Sequence, residues 1–338
     1  MPTYPFGLRP KSIAAILDNT FRLYRRNFAA ICLFGLLIGG LGQLITQLIQ
    51  ILLVGGTPVT EYQNLLSAYG NMLSGYGNPY FGNFGAVYQD FGAILGASTI
   101  MMLLNMIVNI FVTSFVIGGI VGIAAGYAHG NTAKPAVWFG SAGRRYGRLT
   151  LTGFARLLFN GISYAALSIG ALIIFAVVFL AAFYSLAISV IGMLAVILAV
   201  VVLASWPELF FPVAIVENKY GFQGIGRAFS LFFKNFWRMS GLLILVWLIT
   251  LIINLPLSLI PTILPLLGLT DPGLISAGVY WGSVILSVLV GALTTPVLPI
   301  ATTLIYLDIR VRREGYDIAL KQRDQALKAA GEWNRGDR

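Results

Sequence analysis

Six long apolar runs constrain this chain more than any other feature of its sequence. They lie at about 29–54, 93–126, 157–183, 186–205, 239–262 and 277–306. A membrane-spanning helix needs about 20 consecutive apolar residues, and each run reaches that length. Only 10% of the residues are charged, whereas a soluble domain carries about 25%. The sequence therefore predicts an all-α polytopic membrane protein with six transmembrane helices.

The positive charges are distributed unevenly around these runs. All 22 lysines and arginines lie before the first run, between the second and third or at the start of the third, between the fourth and fifth, or after the sixth. The loops on the other side carry only Glu61, Asp90 and Asp271. The positive-inside rule then places both termini in the cytoplasm, and we expect a multi-pass protein of the plasma (inner) membrane. The net charge of +10 indicates topology and attraction to anionic headgroups rather than nucleic-acid binding.

An eight-residue pattern, F-x-L-[YF]-x-[RK]-N-F, occurs twice, as FRLYRRNF at 21–28 and FSLFFKNF at 229–236. Around both copies, at 12–28 and 222–238, apolar residues recur at helical spacing and basic residues fall largely on the other face. This predicts amphipathic helices that lie in the cytoplasmic headgroup layer. A fainter copy at 139–146 favours three parallel units, each an interfacial helix followed by a hairpin of spans. The alternative is chance similarity between aromatic and basic flanks.

Two sets of candidate lipid or substrate contacts follow. The candidate headgroup contacts are Arg22, Arg25, Arg26, Lys234 and Arg238. The candidate polar lining inside the membrane is Gln43, Gln47, Gln50, Asn105, Asn109 and Asn254. Amides that face lipid are costly, so we expect these to face the bundle interior, where they either bond neighbouring helices or line a cavity.

The domain organisation expected from these features is simple. Residues 1–318 form a single integral membrane domain, and 319–338 form a polar cytoplasmic tail. The outer loop at 57–92 is rich in Gly, Asn and Tyr and has no basic residue. It either rests on the outer headgroups or contacts a protein partner or glycan through its tyrosines.

Three segments resemble one known family. GLRPKSIAAILDNTFRLYRRNF, PVAIVENKYGFQGIGRAFSLFFKNFWRMSGLLIL and LIYLDIRVRREGYDIAL are similar to the glycerophosphoryl diester phosphodiesterase membrane-domain family and to related prokaryotic multi-span proteins. The most specific part is the ending, although Asp308 and Glu314 are separated by one residue fewer than in the family pattern. Its motif residues are Tyr306, Asp308, Arg310, Arg312, Glu314, Gly315, Tyr316 and Asp317. Because the chain has no room for a phosphodiesterase barrel, the resemblance implies a membrane module without that activity.

The ending also has a direct physical interpretation. Asp308 and Arg312, and likewise Arg310 and Glu314, are four residues apart and can pair on one helix. We expect the segment to be exposed, so that each pair contributes only a few tenths of a kcal/mol. It acts either as a charged stop-transfer segment that ends the sixth span or as a surface that ties the cytoplasmic helices together.

No catalytic, metal or cofactor site is expected from the sequence. The chain has one histidine and one cysteine, which excludes clusters of either as metal ligands, and His129 has no identifiable catalytic partner. Two function classes remain. The first is a non-catalytic membrane protein that organises a complex or the local lipid. The second is a transporter or lipid-handling protein with a polar cavity between its helices.

Overall fold

The computed structural model describes residues 10–36, 40–42, 44–45, 84–129, 134–182, 190–192, 206–266 and 277–329. These residues are 92% helical and contain no strand, so the all-α prediction is confirmed for them. The helices of seven residues or more are numbered in chain order. They are α1 (Ile13–Arg26), α2 (Phe28–Phe34), α3 (Phe84–Ala128), α4 (Pro135–Arg144), α5 (Tyr146–Ala182), α6 (Phe210–Glu217), α7 (Phe222–Lys234), α8 (Phe236–Leu266), α9 (Ala277–Thr294), α10 (Val297–Glu314) and α11 (Tyr316–Ala329). A 3-10 helix at Trp206–Leu209 precedes α6.

Three stretches of helix in the described residues are long and apolar enough to cross a membrane. They are Met106–Ala128, Phe236–Ile260 and Trp281–Glu314, with mean hydropathies of 2.3, 2.5 and 2.2. These stretches overlap the second, fifth and sixth predicted apolar runs, and each extends beyond one end of its run. Half of the predicted run at 29–54 and most of the run at 186–205 lie outside the described residues. This composition is compatible with a membrane protein.

The chain divides into two compact units. The first comprises Met1–Ala30, Ile117–Thr250 and Pro296–Arg338, and the second comprises Ile31–Val116 and Leu251–Thr295. In the first unit α1 packs against α10, while α5 and α7 pack against α6. Its largest fully buried side chains include Tyr306, Phe210 and Phe211. In the second unit Gly35, which directly follows α2, lies close to α9, because a Cβ on Gly35 would lie 3.4 Å from the Ala292 Cβ.

Single non-helical residues interrupt the chain at three comparable places. Asn27 separates α1 from α2, Arg145 separates α4 from α5, and Asn235 separates α7 from α8. Their backbone angles are similar, with φ and ψ of −113° and 16°, −108° and 14°, and −127° and 29°. We call these three positions the helix breaks. Both copies of the repeated octapeptide are therefore helical up to their asparagine, and the faint third copy has the same local structure.

Each helix break has the same chemical surroundings. The helix before it carries a basic residue in its last turn: Arg25 and Arg26, Arg144, or Lys234. The helix after it begins with an aromatic residue: Phe28, Tyr146 or Phe236. Basic side chains near a helix C-terminus interact favourably with its partial negative charge. The sequence similarity at 21–28, 139–146 and 229–236 thus coincides with a repeated local structure.

The helix ends that shape the first unit have identifiable signals. The Ser12 Oγ accepts a hydrogen bond from the Ala15 N–H at 3.2 Å and caps α1, a role for which serine is strongly preferred. Asn218 ends α6 and Gly315 ends α10, and both adopt left-handed backbone angles with φ of 55° and 57°. Asn and Gly are the residues that tolerate this conformation best. Helix α3 begins at Phe84, so the last part of the predicted 57–92 loop is helical, and its remainder lies outside the described residues.

Candidate functional site

Asp308 is the centre of a charged clamp on the first unit. Its side chain is 0% exposed and accepts hydrogen bonds from Arg238 Nη2 at 2.8 Å and Arg312 Nε at 3.0 Å. Its Oδ1 also accepts the backbone N–H of Lys11 at 2.7 Å. The two guanidiniums in turn donate to the Lys11 carbonyl at 2.9 and 2.8 Å. The Asp308 clamp therefore fixes the segment before α1 to α8 and α10.

Glu217 is the centre of a second group of contacts, the Glu217 network. The Arg227 Nε donates to both of its oxygens at 2.9 and 3.0 Å, and the Tyr306 hydroxyl donates at 2.8 Å. The Lys219 ammonium lies 3.1 Å away. Arg227 also pairs with Glu314, which accepts from the Arg310 Nε at 3.0 Å. The network joins the ends of α6 and α10 to α7.

The Glu217 network shifts the acidity of its own groups. Burial alone would raise the pKa of the Glu217 carboxyl, but hydrogen bonds from Tyr306, Arg227 and Lys219 outweigh it, so this pKa lies below its ordinary value of 4.5. Burial would lower the pKa of the Arg227 guanidinium, but its bonds to Glu314 and Glu217 raise it. Both groups are therefore held in their charged forms.

The network continues into α11 and towards the end of α3. The Arg310 guanidinium lies over the Tyr316 ring, 4.0 Å from its centroid. The Tyr316 hydroxyl lies 2.9 Å from His129 Nε2, and His129 Nδ1 lies 2.6 Å from the Ala125 carbonyl. His129, for which the sequence offered no catalytic partner, thus contacts a tyrosine of the C-terminal motif. Asp317 lies in the first turn of α11.

The predicted pairs of the C-terminal motif are present, but their expected exposure is wrong at one of them. Arg312 with Asp308 and Arg310 with Glu314 both pair across four residues. Asp308 is fully buried, because α10 packs on α1 along the face that carries this side chain. Removing one partner from a buried ion pair costs far more stability than breaking an exposed pair, because an uncompensated charge is left in the interior. The arrangement fits the alternative in which this ending ties helices together.

The candidate headgroup residues occupy two kinds of position. Arg25, Arg26 and Lys234 are exposed beside the helix breaks, and the Arg26 guanidinium lies 5.8 Å from the Tyr127 ring centroid. Arg22 is exposed and pairs with Asp18 at 3.2 Å. Arg238 is instead engaged in the Asp308 clamp. Exposure therefore supports headgroup contact for the other four residues but not for Arg238.

The candidate intramembrane amides fall mostly beyond what the structure describes. Gln43, Gln47 and Gln50 lie outside the described residues. Asn105 and Asn109 lie on α3, for which only the backbone is described at these positions. Asn254 is half-buried on α8. Whether these amides line a common surface stays a prediction.

Sequence reasoning missed Glu208 and Glu217 as organising residues. Glu208 pairs with Arg156 of α5 beside an aromatic cluster in which Trp206 contacts Phe159 and Phe210 with centroids 5.3 Å apart. The signal was available in the charge distribution. Nine of the 12 carboxylates lie in the segments that carry all 22 basic residues, and a carboxylate outnumbered by cations in this way readily finds a basic partner. Their partners, 52 and 10 residues away, were not predictable from local spacing.

Two further observations bound the chemistry of the site. Among the residues that the structure describes, no group of three or more His, Cys, Asp or Glu side chains is placed to hold a metal ion. No protein family, curated protein or solved structure gives a significant match to this chain.

Proposed function

We propose that this chain is a non-catalytic integral membrane protein that organises local lipid or a membrane complex at the cytoplasmic face. The proposal includes six spans, cytoplasmic termini and a plasma (inner) membrane location, based on the apolar runs and the positive-inside rule. The resemblance of its ending to the glycerophosphoryl diester phosphodiesterase membrane-domain family belongs to the same proposal. The outer loop at 57–92 is a proposed contact for a protein partner.

One observation carries this proposal: three carboxylates of the first unit are largely buried in ion pairs, while the basic residues at its helix breaks are exposed. Glu208, Glu217 and Asp308 are at most 12% exposed and each is paired with arginine. The basic residues at the helix breaks are exposed instead. Buried carboxylates consolidate the helices, and the outward bases suit an anionic surface. A rigid platform that presents cations to headgroups follows from this arrangement.

Exposed aromatic side chains support the same function. Phe222, Phe229 and Phe233 on α7 are exposed, and Trp237 at the start of α8 is 87% exposed. Only 11% of the most apolar stretch within Phe236–Ile260 is buried, so most of this helix is partly or fully exposed. Aromatic rings at the end of an apolar span are typical of the membrane–water interface. Together with Lys234, they suit a helix that lies on the membrane surface.

Extraction of the protein with its surrounding lipid in polymer-bounded nanodiscs tests this proposal. Co-purified lipids and proteins are identified by mass spectrometry and compared with the bulk membrane. We expect enrichment of anionic lipids, of a stoichiometric membrane partner, or of both. Bulk lipid composition with no partner, together with solute or lipid movement by proteoliposomes, would instead favour the transporter or lipid-handling alternative.

A further inference from the structure

Two arginines at the α4–α5 break converge on one tyrosine. The Arg145 Nη1 donates to the Tyr220 hydroxyl at 3.2 Å and to the Asn218 Oδ1 at 3.1 Å. The Arg148 guanidinium lies 5.9 Å from the centroid of the Tyr220 ring. Both arginines are exposed. We propose that this Tyr220 cluster, defined as Arg145, Arg148, Asn218 and Tyr220, binds a phosphate group, supplied by an anionic lipid headgroup or by free phosphate.

The α4–α5 break departs from the pattern of the other two. The Asn27 side-chain N–H donates to the Leu23 carbonyl at 3.2 Å, and the Asn235 side-chain N–H donates to the Leu231 carbonyl at 3.0 Å. Arg145 occupies the equivalent position, and its side chain reaches the loop after α6 instead. The side-chain hydrogen bond to the preceding helical turn is thus present at Asn27 and Asn235 and replaced at Arg145. Positions that depart from such a local rule are expected to have a functional role.

The residue three positions after the break strengthens the contrast. Arg238 follows Asn235 by three residues and is neutralised by Asp308 at 2.8 Å. Arg148 follows Arg145 by three residues and forms no ion pair with a carboxylate in the described part of the chain. Glu217 immediately precedes Asn218, but its oxygens accept from Arg227 and Tyr306 and pair with Lys219. Two like charges held on one ring are unfavourable without a counter-charge, and a bound anion would supply it.

The chemistry of the cluster fits phosphate. A guanidinium presents five N–H donors in a planar fork that matches phosphate oxygens, and Arg145 commits only Nη1 to Asn218 and Tyr220. Charge-assisted hydrogen bonds of this kind are stronger than neutral ones. Tyr220 contacts both arginines, and contacts of this kind restrict a side chain and lower the entropy lost on binding. The cluster is therefore a preorganised acceptor for one phosphate.

Titration of the full-length protein in detergent, followed by native mass spectrometry, tests the site. The probes are dioctanoyl phosphatidylglycerol, zwitterionic dioctanoyl phosphatidylcholine and inorganic phosphate. We expect the Arg145→Gln/Arg148→Gln variant to bind phosphatidylglycerol at least about tenfold more weakly, as loss of two charge-assisted bonds implies. The control Lys134→Gln/Lys321→Gln removes the same charge from exposed positions that are not at a helix break, and should change affinity less than about threefold.

The probes distinguish the two sources of phosphate. Tight binding of phosphatidylglycerol with much weaker binding of inorganic phosphate identifies a lipid headgroup, and equal affinity identifies free phosphate. Equal loss in the site and control variants would overturn the site, as would equally tight binding of phosphatidylcholine. Should the double variant unfold, Tyr220→Phe decides, because it keeps the ring under Arg148 but removes the Arg145 acceptor. It must weaken phosphate or phosphatidylglycerol binding if the cluster is the site.

This inference rests on the proposed membrane function, and the two can fail separately. Anionic lipid that co-purifies equally with the wild type and with the Arg145→Gln/Arg148→Gln variant, together with unchanged binding of inorganic phosphate, would refute the site and leave the proposed function intact. Loss of inorganic phosphate binding in the variant, with no enrichment of lipid or partner in nanodiscs, would support the site and contradict the proposed function.

Discussion

Replacement of Asp308 by Asn should strongly destabilise the protein. The Asn side chain keeps one oxygen for the Lys11 N–H, which now lies 2.7 Å from the Asp308 Oδ1. Its NH₂ group then faces the donors of Arg238 and Arg312, which now lie 2.8 and 3.0 Å from the Asp308 Oδ2. The substitution therefore removes these two charge-assisted bonds and a third, longer one from the Arg238 Nε at 3.3 Å, and it leaves two guanidiniums without their counter-charge.

The magnitude depends on how far the arginines can rehydrate. Hydrogen bonds to charged groups contribute about 1.5–3 kcal/mol each, and breaking a fully buried ion pair costs about 3–5 kcal/mol. The Arg238 and Arg312 side chains are 32% and 34% exposed, so water recovers part of this loss. We expect a decrease of about 2–4 kcal/mol in the free energy of unfolding.

Thermal unfolding in one detergent at a fixed scan rate measures the effect. The expected loss lowers Tm by roughly 5–10 °C. Asp18→Asn is the matched control, because its pair with Arg22 has both side chains 59% exposed and contributes only about 0.3–0.5 kcal/mol. Replacing the charges together, as Asp308→Leu/Arg238→Met/Arg312→Met, should recover part of the stability. Equal Tm values for Asp308→Asn and Asp18→Asn would refute the reasoning.

Two further substitutions test other parts of the first unit. Because the folded-state pKa of Glu217 is depressed, its stabilisation is fully present above about pH 4.5 and is lost as the pH falls through the folded-state value. The Tm difference between wild type and Glu217→Gln should therefore shrink as the pH is lowered, and a constant difference would contradict this. Gly126→Ala should destabilise, since its Cβ would lie 2.2 Å from the Trp138 ring. Gly147→Ala has open space and should be neutral or stabilising by up to about 1 kcal/mol, so equal effects would contradict this packing.

Local features of the fold could be predicted from the sequence because they depend on neighbours in the chain. The helix expected over 12–28 is present as Ile13–Arg26, capped by Ser12. The pairs of Asp308 with Arg312 and of Arg310 with Glu314 follow from helical spacing. The interruption of the sixth run near Pro296, where α9 ends and α10 begins, follows from the missing N–H of proline.

The candidate site could not be predicted in the same way, because its contacts join distant residues. Lys11 and Asp308 are 297 residues apart, and Tyr306 and Glu217 are 89 apart. Helical spacing shows that Asp308 can meet Arg312, but it does not show which face of α10 packs on α1. That packing decides whether Asp308 is exposed or buried. The role of Glu217 depends in the same way on where α7 and α10 meet α6.

The cytoplasmic position of the helix breaks is the central claim of this account, and cysteine labelling in intact cells tests it most directly. The single native cysteine, Cys32, is first replaced by alanine. Single cysteines at Ser67 or Gly273 should then react with an impermeant thiol reagent. Cysteines at Ser141, next to the α4–α5 break, or at Lys321 should react only after the cells are opened. Labelling of Ser141→Cys and Lys321→Cys in intact cells, with protection at Ser67→Cys and Gly273→Cys, would contradict the account.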